Sequence, residues 1–146
     1  MRFRPLLLAL IIAVTTPALA NPGDGARYEW PVVGVIDGDT LKVHLPGLPM
    51  ELQPVKIRVR GIDTPELHGK CASEKSAAKK AGAFTRHLIE TATAKKRSIH
   101  FSKIDWDKYG GRIDADVAID GRSLADMLVG AGLARRYDGG KRGGWC

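Results

Sequence analysis

The sequence predicts a β-rich α+β domain: a five-stranded Greek-key barrel of the OB type with two packed helices. Two observations predict it. Five strand-like and two helical segments follow in the order β-β-β-α-β-β-α, and a five-stranded set with a helix between strands three and four is the layout of that barrel. The 146 residues, 44% hydrophobic and 27% charged, are enough for one globular core and too few for two. The same composition excludes a disordered chain, a collagen or a coiled coil, and no internal repeat of solenoid type is visible.

Each element has its own signal. Residues 28–36 are apolar and β-branched, and Asp37, Gly38 and Asp39 then mark a turn. In 40–45, Leu41, Val43 and Leu45 alternate with Lys42 and His44. Val55, Ile57 and Val59 alternate with Lys56, Arg58 and Arg60, which reads as a half-buried strand with a basic outer face. Helical period follows Cys71, with Ala77, Ala81, Phe84, Leu88 and Ala92 on one face and Ser73 as the expected N-cap. Strands return at 98–104 and 113–119. A short helix at 124–131 is weakened at its end by Gly130 and Gly132. From Arg136 the chain is basic and Gly-rich, without period.

The first twenty residues read as a leader and not as part of the fold. Arg2 and Arg4 precede the apolar run 6–14, Pro17 breaks it, and Ala18, Leu19 and Ala20 have the small-x-small form of a signal-peptidase site. A nine-residue run is far short of the roughly twenty that span a bilayer. The expectation is a signal peptide over 1–20 and a single domain over 21–146. The protein is then exported, to the periplasm or the medium, with no membrane attachment after cleavage. The leader carries two of the seven excess positive charges, so 21–146 keeps +5, a weak pointer to a polyanionic partner. Cys71 and Cys146 are the cysteines; in an oxidising compartment they read as one disulfide, the alternative being two free thiols. Trp106 and Trp145 are expected to pack, as large aromatics usually do. A monomer is the default.

Two acidic stretches carry the candidate chemistry: Asp37-Gly38-Asp39-Thr40 and Asp63-Thr64-Pro65-Glu66. Both sit where a strand meets a turn. If the turns lie at one end of the sheet, Asp39 and Asp63 converge, and two carboxylates with a turn carbonyl suit Ca²⁺ or Mg²⁺. Leu41 fails the third ligand of an EF-hand. Taken singly, each stretch also reads as plain turn chemistry. Arg58 and Arg112 add guanidinium groups that would neutralise charge on phosphoryl oxygens, and Glu66 is close enough in sequence to orient or deprotonate a water.

The segments VIDGDTLKV (35–43), KIRVRGIDTPE (56–66), AGAFTRHLIE (81–90), DKYGGR (107–112) and DGRSLADMLVGAGLAR (120–135) together resemble the staphylococcal nuclease (thermonuclease) family over 32–136. The resemblance implies an OB-fold, Ca²⁺-dependent nuclease that cuts DNA and RNA with little sequence preference and leaves 3′-phosphate ends. It implies one Ca²⁺ held by Asp39, Asp63 and the Thr64 carbonyl, with Asp37 behind them. It makes Arg58 and Arg112 phosphate ligands, Glu66 the water-activating residue, and Lys108 and Tyr109 substrate contacts. The chain departs from the family pattern in three places. Two glycines, Gly110 and Gly111, stand where the family has one, and a one-residue shift in a strand would turn Arg112 to the other face. Cys71 and Cys146 are additional. The family's third helix is replaced by the basic tail, whose end a disulfide would pin. The competing reading is a non-catalytic nucleic-acid-binding OB module, and a secreted toxin would share the enzyme's chemistry. Presence of the carboxylates, both arginines and the glutamate together favours the enzyme.

Overall fold

Three antiparallel strands open the fold: β1 (Val32–Val35), β2 (Thr40–Val43) and β3 (Val55–Val59). The computed structural model describes residues 25–108 and 110–146, so the leader expected at 1–20 and the substrate contact expected at Tyr109 lie outside the described residues. After β3 the chain makes a two-residue strand, β4 (Ile62–Asp63), and the long helix α1 (Ala72–Ala94). It returns as β5 (Ile99–Trp106) and β6 (Ile113–Ile119). A short β7 (Arg122–Ser123), the helix α2 (Leu124–Gly130) and β8 (Arg135–Arg136) complete it.

The strand order is β1-β2-β3-β6-β5, with β6 parallel to β3 and the other neighbours antiparallel. Tyr28 and Phe101 exchange two backbone hydrogen bonds of 2.8 Å, joining the segment before β1 to β5 and curling the sheet towards closure. This is the expected OB-type α+β fold. The pieces not anticipated are β4, β7 and β8, each two residues long, of which β4 pairs with β8 and β7 with β6.

The core follows from alternation. β6 is buried at every second position, Ile113, Ala115, Val117 and Ile119, and these meet Leu41, Val43, Ile57, Val59 and Phe101. Leu124, Ala125 and Leu128 of α2 cover one side, where Ser123 caps the helix by accepting from the Asp126 N–H at 3.2 Å. Each fully buried Leu or Ile contributes about 1.5–3 kcal/mol.

Helix α1 corrects two expectations. Its N-cap is Cys71, in the extended backbone usual for that position, and Ser73 falls inside the first turn. Its buried face is Ala78, Ala81, Gly82, Thr85, Ile89 and Ala92, while Ala77, Phe84 and Leu88 are only half-buried. The reason is close approach: Gly82 faces the Asp37 backbone and the Thr85 hydroxyl donates to the Gly38 carbonyl at 2.7 Å. Small residues at the contact carry no hydrophobic signal, so periodicity of large apolar residues misplaces the face. Among the described residues, no helix is long and apolar enough to cross a membrane.

Candidate functional site

The register between β2 and β3 builds the site's first half. Thr40 stands opposite Arg58, and the Val59 N–H donates to the Asp39 carbonyl at 2.7 Å. Arg58 is therefore placed beside the turn that carries Asp39. That turn is shaped by Asp37, whose Oδ1 accepts from the Asp39 N–H at 3.2 Å. Thr64 meets it from the other acidic stretch, its side chain lying against Gly38. The two acidic turns thus do share one end of the sheet.

Arg58 joins them. Its Nη2 lies 3.2 Å from Asp39 Oδ2 and 3.9 Å from Asp63 Oδ1, and it donates to the Ile62 carbonyl at 3.1 Å. The basic outer face expected of β3 holds for Lys56 but not here: Arg58 is 8% exposed, because the two carboxylates and β4 cover it. Asp39, Asp63 and Thr64 are buried as well. Burial pushes the Asp39 carboxyl up to about 6 from the usual 3.8, and nearby Asp37 adds to this; the Arg58 guanidinium and the Thr40 hydroxyl oppose it without cancelling it.

The second half comes from the turn between β5 and β6. Gly110 and Gly111 both have positive φ, 74° and 77°, which side-chain-bearing residues rarely adopt. The extra glycine is absorbed there: the Asp107 N–H reaches the Arg112 carbonyl at 3.1 Å, and β6 starts in step at Ile113, opposite Trp106 and Ile57. Arg112 keeps its orientation, with Nε 2.5 Å from Asp107 Oδ2. Arg58, Arg112 and Lys108 line one cleft of about 490 Å³ with Trp106, Asp114 and Arg142. Trp106 does not pack as expected but stands 71% exposed at this rim. Asp114, the register partner of Arg58, was missed in sequence; its buried Oδ1 has no hydrogen-bond partner among the described residues.

Glu66 follows β4 on an exposed loop, and its carboxylate is held by Arg142 Nη1 at 2.9 Å. That loop is fixed from below by Glu74 of α1, a buried carboxylate that accepts from the Lys70 N–H at 2.9 Å and lies directly over Gly69, where a Cβ would sit 2.3 Å from its carboxyl carbon. Cys71 and Cys146 form the disulfide, Cα–Cα 6.0 Å. It lies beside Glu74, and the three ligand-type residues cluster within 4.8 Å. The sulfurs are bonded to each other, so this cluster offers no thiolate to a metal. The buried carboxylates Asp39 and Asp63, both within reach of Arg58, offer hard anionic oxygens of the kind that suit a hard divalent cation.

The sequence-predicted residues Asp37, Asp39, Arg58, Asp63, Thr64 and Glu66 converge at one end of the sheet, with Arg112 and Lys108 on the adjoining cleft wall. Arg142 and Trp145 reach the same place from the tail, unanticipated. A family model described as staphylococcal nuclease homologue matches residues 56–142. The match takes in Arg58, Asp63, Glu66, Arg112 and Arg142, and begins after Asp37 and Asp39.

Proposed function

From the premise that this chain belongs to the staphylococcal nuclease homologue family, a family of nucleases, we propose a Ca²⁺-dependent phosphodiesterase that cleaves DNA and RNA with little sequence preference and leaves 3′-phosphate ends. The observation that carries the reading is the shared guanidinium: Arg58 touches both buried carboxylates and faces the same cleft as Arg112.

In this reading Asp39 and Asp63, with the Thr64 carbonyl, hold one Ca²⁺, and Asp37 braces the Asp39 turn. The ion, when bound, polarises a phosphoryl oxygen. Arg58 and Arg112 bind the phosphate and neutralise the charge that builds on its oxygens as the phosphorus becomes five-coordinate. Both are pre-positioned by carboxylates, Arg58 by Asp39 and Arg112 by Asp107, so little side-chain freedom is lost on binding. Glu66 accepts a proton from the attacking water. The water oxygen bonds to phosphorus as the bond from phosphorus to the 5′ oxygen breaks, and the proton taken up by Glu66 passes through solvent to that leaving oxygen, so the step is balanced. Lys108, Tyr109 and the exposed Trp106 contact the strand on either side. These contacts read backbone and ring faces, not base edges, which accounts for weak sequence preference. Export belongs to the same proposal and is supported by the disulfide, a bond that persists in oxidising compartments.

The test is incubation of the purified protein with heat-denatured DNA in Ca²⁺ and in excess chelator, followed by end analysis. Cleavage that needs Ca²⁺ and yields 3′-phosphate and 5′-hydroxyl ends supports the reading. Retention of DNA without cleavage in Ca²⁺, Mg²⁺ or Mn²⁺ replaces it with the binding-module alternative.

A further inference from the structure

The tail after β8 has no helix and only the two-residue strand before it, yet it is held at many points. The Tyr137 N–H donates to the Gly61 carbonyl at 3.0 Å, and its hydroxyl to the Gly140 carbonyl at 2.8 Å. Arg135 donates to the Gly144 carbonyl at 2.8 Å and lies 3.8 Å over the Trp145 ring. The last residue is bonded to Cys71, five positions beyond Glu66. Two side chains of this tail reach the candidate site. Trp145 Nε1–H donates to Asp63 Oδ2 at 3.0 Å. Arg142 places Nε 3.4 Å from Asp63 Oδ1 and Nη1 2.9 Å from Glu66 Oε1.

We propose that Arg142 is a positioning residue for Glu66, presented by a tail that the Cys71–Cys146 disulfide anchors, so that turnover depends on the bond being oxidised. This rests on the nuclease reading of the site. Glu66 is more than half exposed and would otherwise sample several rotamers; Arg142 fixes it through one oxygen and reserves the other as an acceptor. Trp145 holds Asp63 Oδ2, while Asp63 Oδ1 faces Arg142 and Arg58.

Magnitudes show why the disulfide is needed. Arg142 and Glu66 are 39% and 54% exposed, and so exposed a pair adds little stability on its own. Ordering each backbone residue costs more than such a pair returns. Gly139, Gly140, Gly143 and Gly144 make this tail the most costly kind of chain to order. The pair alone does not hold the tail in place; pinning its last residue to the start of α1 does.

The experiment compares wild type, Arg142→Ala and Arg142→Lys, each oxidised and after reduction by a phosphine, on denatured DNA in Ca²⁺. It reads kcat and KM separately, with affinity for a fluorescein-labelled oligothymidylate in chelator as a readout independent of turnover. Arg142→Ala leaves the disulfide and core intact, so loss of fold does not confuse the result, and a melting curve verifies this. The expected result is a kcat lower by up to about 100-fold, the order of loss when a reacting group is misplaced by about 1 Å, with KM changed less. Lys restores part of it. Reduction lowers wild-type kcat similarly and adds nothing to Arg142→Ala. Unchanged kcat in oxidised Arg142→Ala, or a rise on reduction, overturns the proposal and leaves the nuclease reading standing. Oxidised wild type that binds the oligothymidylate but never cleaves overturns both.

Discussion

Gly38 tests whether helix α1 sets the position of the acidic turn. A Cβ built on it would lie 2.8 Å from Ala81 Cβ and 3.0 Å from Thr64 Cγ2, against an ordinary carbon–carbon contact of about 3.5–4.0 Å. Ala81 Cβ is fixed to the helix backbone and has no rotamer to move into. In Gly38→Ala the turn must therefore withdraw from α1 and stretch the buried 2.7 Å bond from Thr85 to the Gly38 carbonyl. Overpacking costs about 1–3 kcal/mol and a weakened buried hydrogen bond about 1 kcal/mol. The stiffer unfolded chain offsets about 0.4–1 kcal/mol. The net expectation is a destabilisation of about 2 kcal/mol, read by urea titration. Asp39 is the next residue, so cleavage should fall in the folded variant as well. Ala81→Gly removes the nearest obstacle, and the double variant should recover part of the loss, a coupling that additive sites do not show. Stability of Gly38→Ala within about 0.5 kcal/mol of wild type, or strict additivity with Ala81→Gly, would mean that α1 does not set the position of the turn.

Two further outcomes follow from the same structure. Cys71→Ser with Cys146→Ser opens a closure spanning 75 positions, so the unfolding free energy in denaturant titration should drop by up to about 4 kcal/mol. Cation affinity should fall in acid: Asp39 must be ionised to bind a cation, and its carboxyl is raised to about 6, so the proton wins progressively as pH drops through that value. Calorimetric titration with Ca²⁺ should then show about tenfold weaker apparent binding at pH 5 than at pH 7; an affinity flat over that range would contradict the raised carboxyl.

Much of this was legible in the chain because the signals were local. Alternation placed β2 and β3, an apolar β-branched run placed β1, and the two acidic turns and Arg58 were visible as motifs. What was not legible depends on contacts between distant segments. The two-residue strands β4 and β8 exist only because they pair with each other. The buried face of α1 is set by Gly82 and Thr85 against the Asp37–Gly38 turn, residues with no hydrophobic signal. Arg58 looked like part of a solvated face until the carboxylates covering it were in place. The two glycines before Arg112 threatened a register shift, but both take positive φ and keep the extra residue within the turn. Trp106 kept its exposure because the cleft rim, not the core, surrounds it. For the tail one signal was available: a disulfide from Cys146 to Cys71 brings the end of the tail, with Arg142 and Trp145 close behind it in sequence, to the segment that follows Glu66.

In the proposed function, buried Asp39 and Asp63, Arg58 between them, and Glu66 act as one hydrolytic centre. The most direct measurement is the rate of denatured-DNA cleavage in Ca²⁺ by wild type, Arg58→Ala and Glu66→Gln, beside each protein's affinity for the same DNA in chelator. Both variants should keep their fold and bind DNA within a few-fold of wild type, yet cleave slower by about 10²-fold or more. Cleavage by either variant at the wild-type rate would contradict the proposed function.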